Sequence, residues 1–78
     1  MSEILNAITA TLGSMGGEAR LVDLSRELER RYPKLVKGWD RKRNTMSGYI
    51  YANSSDAAPK VFKGTDIFYR ARDKGVGV

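Results

Sequence analysis

The spacing of the apolar residues changes along the chain, and that change limits what it can fold into. Ile4, Leu5, Ile8 and Leu12 recur at helical spacing, and so do Leu21, Leu24, Leu28 and Tyr32. Met46, Ile50 and Asn53 fall on one side of a third helical stretch, with Tyr49 at its margin. From Ile67 the pattern turns to strand formers, Ile67-Phe68-Tyr69-Arg70-Ala71, and Val76 and Val78 begin a second strand. The chain has 78 residues, enough for a single domain over residues 1–78. A domain this small hides only about 60% of its unfolded surface, so all these positions must share one thin core.

Punctuation between the periodic stretches sets the expected boundaries. Ser2 suits an N-cap, and Glu3 in the first turn suits the helix dipole. Gly13 and then Gly16-Gly17 close the first helix, and Met15 in that turn packs underneath. Glu18-Ala19-Arg20-Leu21 is short and suits an extended run. Helix two is expected over 22–32, stopped by Pro33 and supported by a Glu27–Arg31 pair at i,i+4. Lys34 to Trp39 reads as a connection pinned by Leu35, Val36 and Trp39. Asp40 reads as the cap of helix three, over Arg41 to Asn53. Ser54 to Pro59 reads as a loop, Val61-Phe62 as a short apolar anchor, and Arg72 to Gly75 as a turn. The order is helix, short strand, helix, helix, strand, turn, strand. That order predicts an α+β fold of winged helix-turn-helix type: three helices and a C-terminal β-hairpin wing. The last strand stops at Val78, from which the chain is expected to be a piece of a longer protein.

Composition removes several classes of function. There is no cysteine, hence no disulfide or thiolate metal site, and no histidine, the commonest general base and metal ligand. The carboxylates are scattered and no serine has a histidine partner. No catalysis, cofactor, metal or small-molecule substrate is therefore expected. No apolar run nears the roughly 20 residues of a membrane span, and the N-terminus lacks the basic start of a signal peptide. The expected place is the cytoplasm, with no membrane partner.

Charge is divided along the chain. Residues 1–29 hold two basic residues, Arg20 and Arg26, and five acidic ones, a net of −3; residues 30–78 hold twelve basic and four acidic, a net of +8. A basic half on a small domain is the footprint of a polyanion binder. Helix three begins Arg41-Lys42-Arg43, three cations at the helix end whose dipole opposes them, at about 0.3–1 kcal/mol each. A local rule broken without structural gain points to function. Arginine can grip a guanine edge or a phosphate with its fork, and Asn44 can read adenine. Gly48 either admits a close backbone or packs closely on a neighbour. Tyr49 suits the core, and Tyr51 suits an exposed place where its hydroxyl meets a phosphate. Trp39 suits a core anchor. In the wing, Arg70 and Arg72 share a strand face, with Lys60 and Lys63 before them and Lys74 after. Charge on a strand edge also guards against aggregation.

The run Asn44-Thr45-Met46-Ser47-Gly48-Tyr49-Ile50-Tyr51, then a polar loop, then Asp66-Ile67-Phe68-Tyr69-Arg70-Ala71-Arg72-Asp73-Lys74-Gly75-Val76 resembles the HARE-HTH winged-helix domains. Those domains stand at the N-terminus of some restriction endonucleases and in other DNA-linked proteins. The Leu21-Val22-Asp23-Leu24 entry to helix two is similar too, whereas Pro33–Asp40 and the missing final aromatic-x-Leu strand depart from the pattern. The resemblance implies a DNA-binding module of a restriction, modification or other DNA-processing protein. The expected partner is double-stranded DNA, with other domains of the same parent protein beside it. Arg41, Arg43, Asn44 and Thr45 are expected at the groove, with Lys42 and Tyr51 beside them. Lys34, Lys37, Lys63, Arg70, Arg72 and Lys74 are expected on the backbone. The alternative is a protein-interaction module of the same fold, whose mark would be a contiguous exposed apolar patch.

Overall fold

The computed structural model describes residues 2–56, 64, 66–72 and 75–78. Within them the chain is α+β, with four helices and a three-stranded antiparallel sheet. The elements are α1 (Glu3–Ser14), β1 (Glu18–Arg20), α2 (Leu21–Arg31), α3 (Pro33–Val36), α4 (Lys42–Tyr51), β2 (Tyr69–Ala71) and β3 (Gly75–Gly77).

Ser2 caps α1 as expected: its Oγ accepts from the Leu5 amide at 3.1 Å. Met15 is the C-cap, and the Gly16 and Gly17 that follow take φ of 89° and 93°, where a side chain would be strained. The reversal sends the Gly17 amide back to the Leu12 carbonyl at 2.9 Å. β1 and α2 then follow without a linker, because Arg20 is both the last strand residue and the N-cap of α2.

Pro33 ends α2 after Arg31, and it also starts a helix of its own. The stretch expected as a plain connection winds into α3, because proline has the helical φ and lacks only an amide that a first helical residue does not need. The Trp39 amide still reaches the Val36 carbonyl at 3.0 Å, leaving only Asp40 and Arg41 to turn into α4. The cap of α4 is therefore Arg41, not Asp40, and no side chain caps it. At the other end, α4 stops at Tyr51 rather than Asn53. Asn53 turns its Nδ2 back to the Tyr49 carbonyl at 2.8 Å, while its own carbonyl accepts from the Ile67 and Phe68 amides at 2.9 and 3.0 Å. Its main chain thus ties α4 to the approach to β2. The Glu27 pair also differs from expectation. Glu27 binds Arg30, at i,i+3, through Nε at 2.8 Å and Nη2 at 2.6 Å. The planar guanidinium matches both carboxylate oxygens there, and it holds the Glu27 carboxyl below its usual range, with smaller help from Arg31.

The core is one cluster: Ala7, Ile8 and Leu12 from α1, Leu24 and Leu28 from α2, Val36 from α3, Met46 and Ile50 from α4, then Phe68 and Val76. Trp39 and Tyr49 are half-buried against it and stack with ring centroids 5.9 Å apart. The buried hydroxyls of Thr11 and Ser54 each donate to a carbonyl one turn back, at 2.7 Å. The expected Val61-Phe62 anchor lies outside the described residues. Among the described residues, no helix is long and apolar enough to cross a membrane.

β3 is the central strand, in the order β1-β3-β2. Its register sets Glu18, Gly77 and Tyr69 in one cross-strand row, Ala19, Val76 and Arg70 in the next, and Arg20, Gly75 and Ala71 in the third. Val76 faces the core, so the first and third rows face outward. A Cβ at Gly75 would sit 2.8 Å from the Arg72 carbonyl oxygen and 2.9 Å from that of Ala19. Both are backbone atoms that cannot swing aside. Gly75→Ala is expected to lower stability by about 1–3 kcal/mol, read from the urea midpoint. An unchanged midpoint would contradict this close approach.

Candidate functional site

Two hollows flank α4 on its exposed side. The larger, about 460 Å³, runs between the β1–α2 junction and α4 and is lined by Arg20, Leu21, Val22, Arg43, Asn44, Ser47 and Tyr51. The second, about 370 Å³, continues along α2 toward the start of α4 and is lined by Ser25, Arg26, Arg41 and Lys42. It shares Val22, Arg43 and Asn44 with the first, so the two form one furrow. The helix spacing explains the lining: Arg43, Ser47 and Tyr51 recur every four residues along one flank of α4, beside the buried Met46 and Ile50.

A third hollow, also about 370 Å³, lies on the sheet and is lined by Arg70, Arg72, Ala19, Glu18 and Gly75. Arg20 belongs to both the sheet hollow and the α4 furrow. Cationic side chains therefore follow one another from Arg70 and Arg72, through Arg20, to Arg43, Arg41 and Arg26. Among the described residues, none of these six arginines is in an ion pair; the ion pairs found there join Arg30 to Glu27 and Lys42 to Glu29.

Arg41, Arg43 and Asn44 thus line the α4 furrow, whereas Arg70 and Arg72 line the sheet hollow, and Arg20 lines both. Lys42 lines the furrow too, but its Nζ lies 3.5 Å from both the Glu29 carboxylate and the Trp39 carbonyl. Tyr51 lines the furrow half-buried, its ring packed against the core rather than exposed as the sequence suggests. Thr45 stands one turn from Tyr49, on the flank that stacks on Trp39. Lys34 lines a separate, more apolar hollow with Glu3, Arg31, Tyr32, Pro33 and Leu35. Lys37 is exposed at the end of α3. Lys60, Lys63 and Lys74 lie outside the described residues. Gly48 is exposed and a Cβ there would meet nothing within 4 Å, so close packing is not what it serves.

The chain matches no family model, no curated protein and no solved structure.

Sequence reasoning missed Arg20, Arg26 and Ser47. Arg20 and Arg26 belong to the acidic stretch of the sequence, and the fold carries both to the basic surface. Ser47 shows a weaker signal, its place one turn after Arg43.

Two acidic contacts fix the geometry of the sheet end. The Asp66 carboxylate accepts from the Ser55 amide at 3.1 Å and from its hydroxyl at 2.8 Å, which holds the Asp66 carboxyl below its usual range. Asp56 accepts from the Arg70 amide at 3.1 Å. On the outer face, the Tyr69 hydroxyl donates to Glu18 across the strand between them. That bond, then loss of solvent, then the negative charge, raise the Tyr69 pKa above the ordinary phenol value. A raised folded pKa means a contribution fully present below the unfolded value, near 10, and lost as pH rises through the folded one. Tyr69 is expected to ionise above the ordinary phenol range in an absorbance titration. Glu18→Gln should lower its pKa, and an unmoved curve would count against the contact.

Among the described residues, no group of three or more His, Cys, Asp or Glu side chains is placed to hold a metal ion. The surface offers fixed positive charge, amide and hydroxyl donors, and concave shape. It can grip an extended polyanion and position hydrogen-bond donors against it.

Proposed function

We propose that this chain is a winged helix-turn-helix domain that binds duplex DNA, as the recognition module of a restriction, modification or other DNA-processing protein. In this reading α2 and α4 are the two helices of the motif, α3 lies in the turn between them, and β2 with β3 forms the wing. The observation that carries it is the set of six arginines, none of them in an ion pair among the described residues, that line the sheet hollow and the α4 furrow, with Arg20 lining both. Arginine supplies forked donors for phosphate and guanine alike. A fold under selection for stability alone gains nothing from leaving so many unpaired on one surface. Asn44 and Ser47 sit among them, one able to bond an adenine edge and the other a phosphate or base.

The test is a titration of duplex DNA at several salt concentrations. If the six arginines neutralise about six phosphates, log affinity should fall with log salt at a slope near −5. Affinity should then drop about 10³-fold between 50 and 200 mM salt. A chain that shows no binding at low salt, or binding without salt dependence, would sink the reading.

A further inference from the structure

Tyr69 is the one large aromatic among the exposed hydrophobic residues described, at 39% exposure. Its ring is held unusually firmly for a surface side chain. It lies over Gly77 of the central strand, so that a Cβ at Gly77 would fall on the ring itself. Its hydroxyl is fastened to Glu18 on the far strand. The ring therefore spans all three strands of its row, and Gly77 is buried beneath it. Part of the ring rests over the Gly77 backbone and part is exposed.

The surroundings are sorted by charge. Arg20 stands on the same outer face, two residues along β1 from Glu18. Neighbours of that kind are about 6.6 Å apart. A phosphate is drawn to Arg20 and repelled by Glu18, whereas a neutral base is indifferent to both and gains by lying on the ring. Arg20 also lines the furrow of α4, so one residue borders both sites.

We propose that the outer face of the sheet is a stacking platform for one unpaired base, with its phosphate at Arg20. The preferred ligand is then a duplex with a single-stranded extension rather than an uninterrupted duplex. This rests on the duplex-binding reading given above. Covering Gly77 explains why an aromatic residue stands at position 69. It does not explain a ring fastened at its far end to the strand that also carries Arg20.

Three ligands and three variants decide the matter by fluorescence anisotropy at physiological salt. The ligands are a duplex closed at both ends by ethylene-glycol linkers, the same duplex with a short single-stranded tail, and one whose tail is abasic. The abasic tail keeps the phosphates and removes the stacking. The wild-type chain should bind the tailed duplex about 5- to 150-fold more tightly than the other two. Tyr69→Phe should keep that preference. Tyr69→Leu still covers Gly77 but has no π face, and Tyr69→Ala has neither. Both should lose the preference while binding the closed duplex as before.

Equal binding of all three ligands by the wild-type chain overturns the proposal, even where a variant fails to fold. A preference that survives Tyr69→Leu overturns it as well. Failure to bind the closed duplex defeats the underlying reading and the platform with it. Binding of the closed duplex without a tail preference defeats the platform alone.

Discussion

Replacing Arg20 and Arg43 together by glutamate is expected to lower affinity for a short duplex by about 10²- to 10⁴-fold. Each arginine would lose a charge-assisted bond to phosphate, worth about 1.5–3 kcal/mol, and each glutamate would add repulsion. The pair is chosen because the two side chains line the same furrow from different elements, one at the β1–α2 junction and one in α4. Both are exposed, and neither is in an ion pair among the described residues. The fold should therefore tolerate the change, with the urea midpoint moving little. As a control, Arg30→Glu together with Arg31→Glu makes the same change in net charge on the end of α2, outside the furrow. Affinity measured by anisotropy should fall far less in that control. Equal losses in the two double variants would mean that net charge alone acts, and the furrow would have no special part.

Phe68→Ala is expected to destabilise the chain by about 3–5 kcal/mol, the usual range for emptying a buried phenylalanine site. At about 0.05–0.15 kcal/mol per residue, a domain of this size has only about 4–12 kcal/mol in total. Phe68 is 2% exposed and joins the cluster that holds Ile8, Leu24, Met46 and Ile50. It is also the last residue before β2, and its amide is one of two held by the Asn53 carbonyl. Emptying this site loosens both the core and the entry to the sheet. Urea unfolding should show a large drop in midpoint with an unchanged slope. A loss below about 1 kcal/mol would mean that the sheet does not depend on this anchor.

Much of this arrangement is legible in the sequence, and the exceptions have particular causes. The helical periods of Ile4 to Leu12 and of Leu21 to Leu28 mark α1 and α2 because each helix buries one stripe. α3 is too short to show a period, and its Pro33 reads as a stop although it is a start as well. The pairing of β1 with β3 joins residues far apart in the chain, and neither three-residue strand has a pattern that names its partner. Gly77, between two valines, looks like a weak strand position until the Tyr69 ring is seen above it. Arg20 and Arg26 are hidden by summing charge along the chain, since folding decides which charges are neighbours. The resolved order of α4, with Arg43, Ser47 and Tyr51 on one side, does follow from spacing alone.

Arg20 ends β1 and caps α2 in the same residue, with extended dihedrals of φ −71° and ψ 148°. No hinge separates the sheet from the helix. Fixing the backbone of a flexible joint costs about 1–2 kcal/mol per residue. A linker of a few residues at this point would levy that cost each time a ligand touched both parts. Here it is met once, during folding, and the arginines at the sheet and at α4 stand ready at a set separation. Under the proposed reading, a ligand that spans both would have to adapt its own shape to that separation, so stiffness in the ligand, and not in the protein, would be the quantity discriminated.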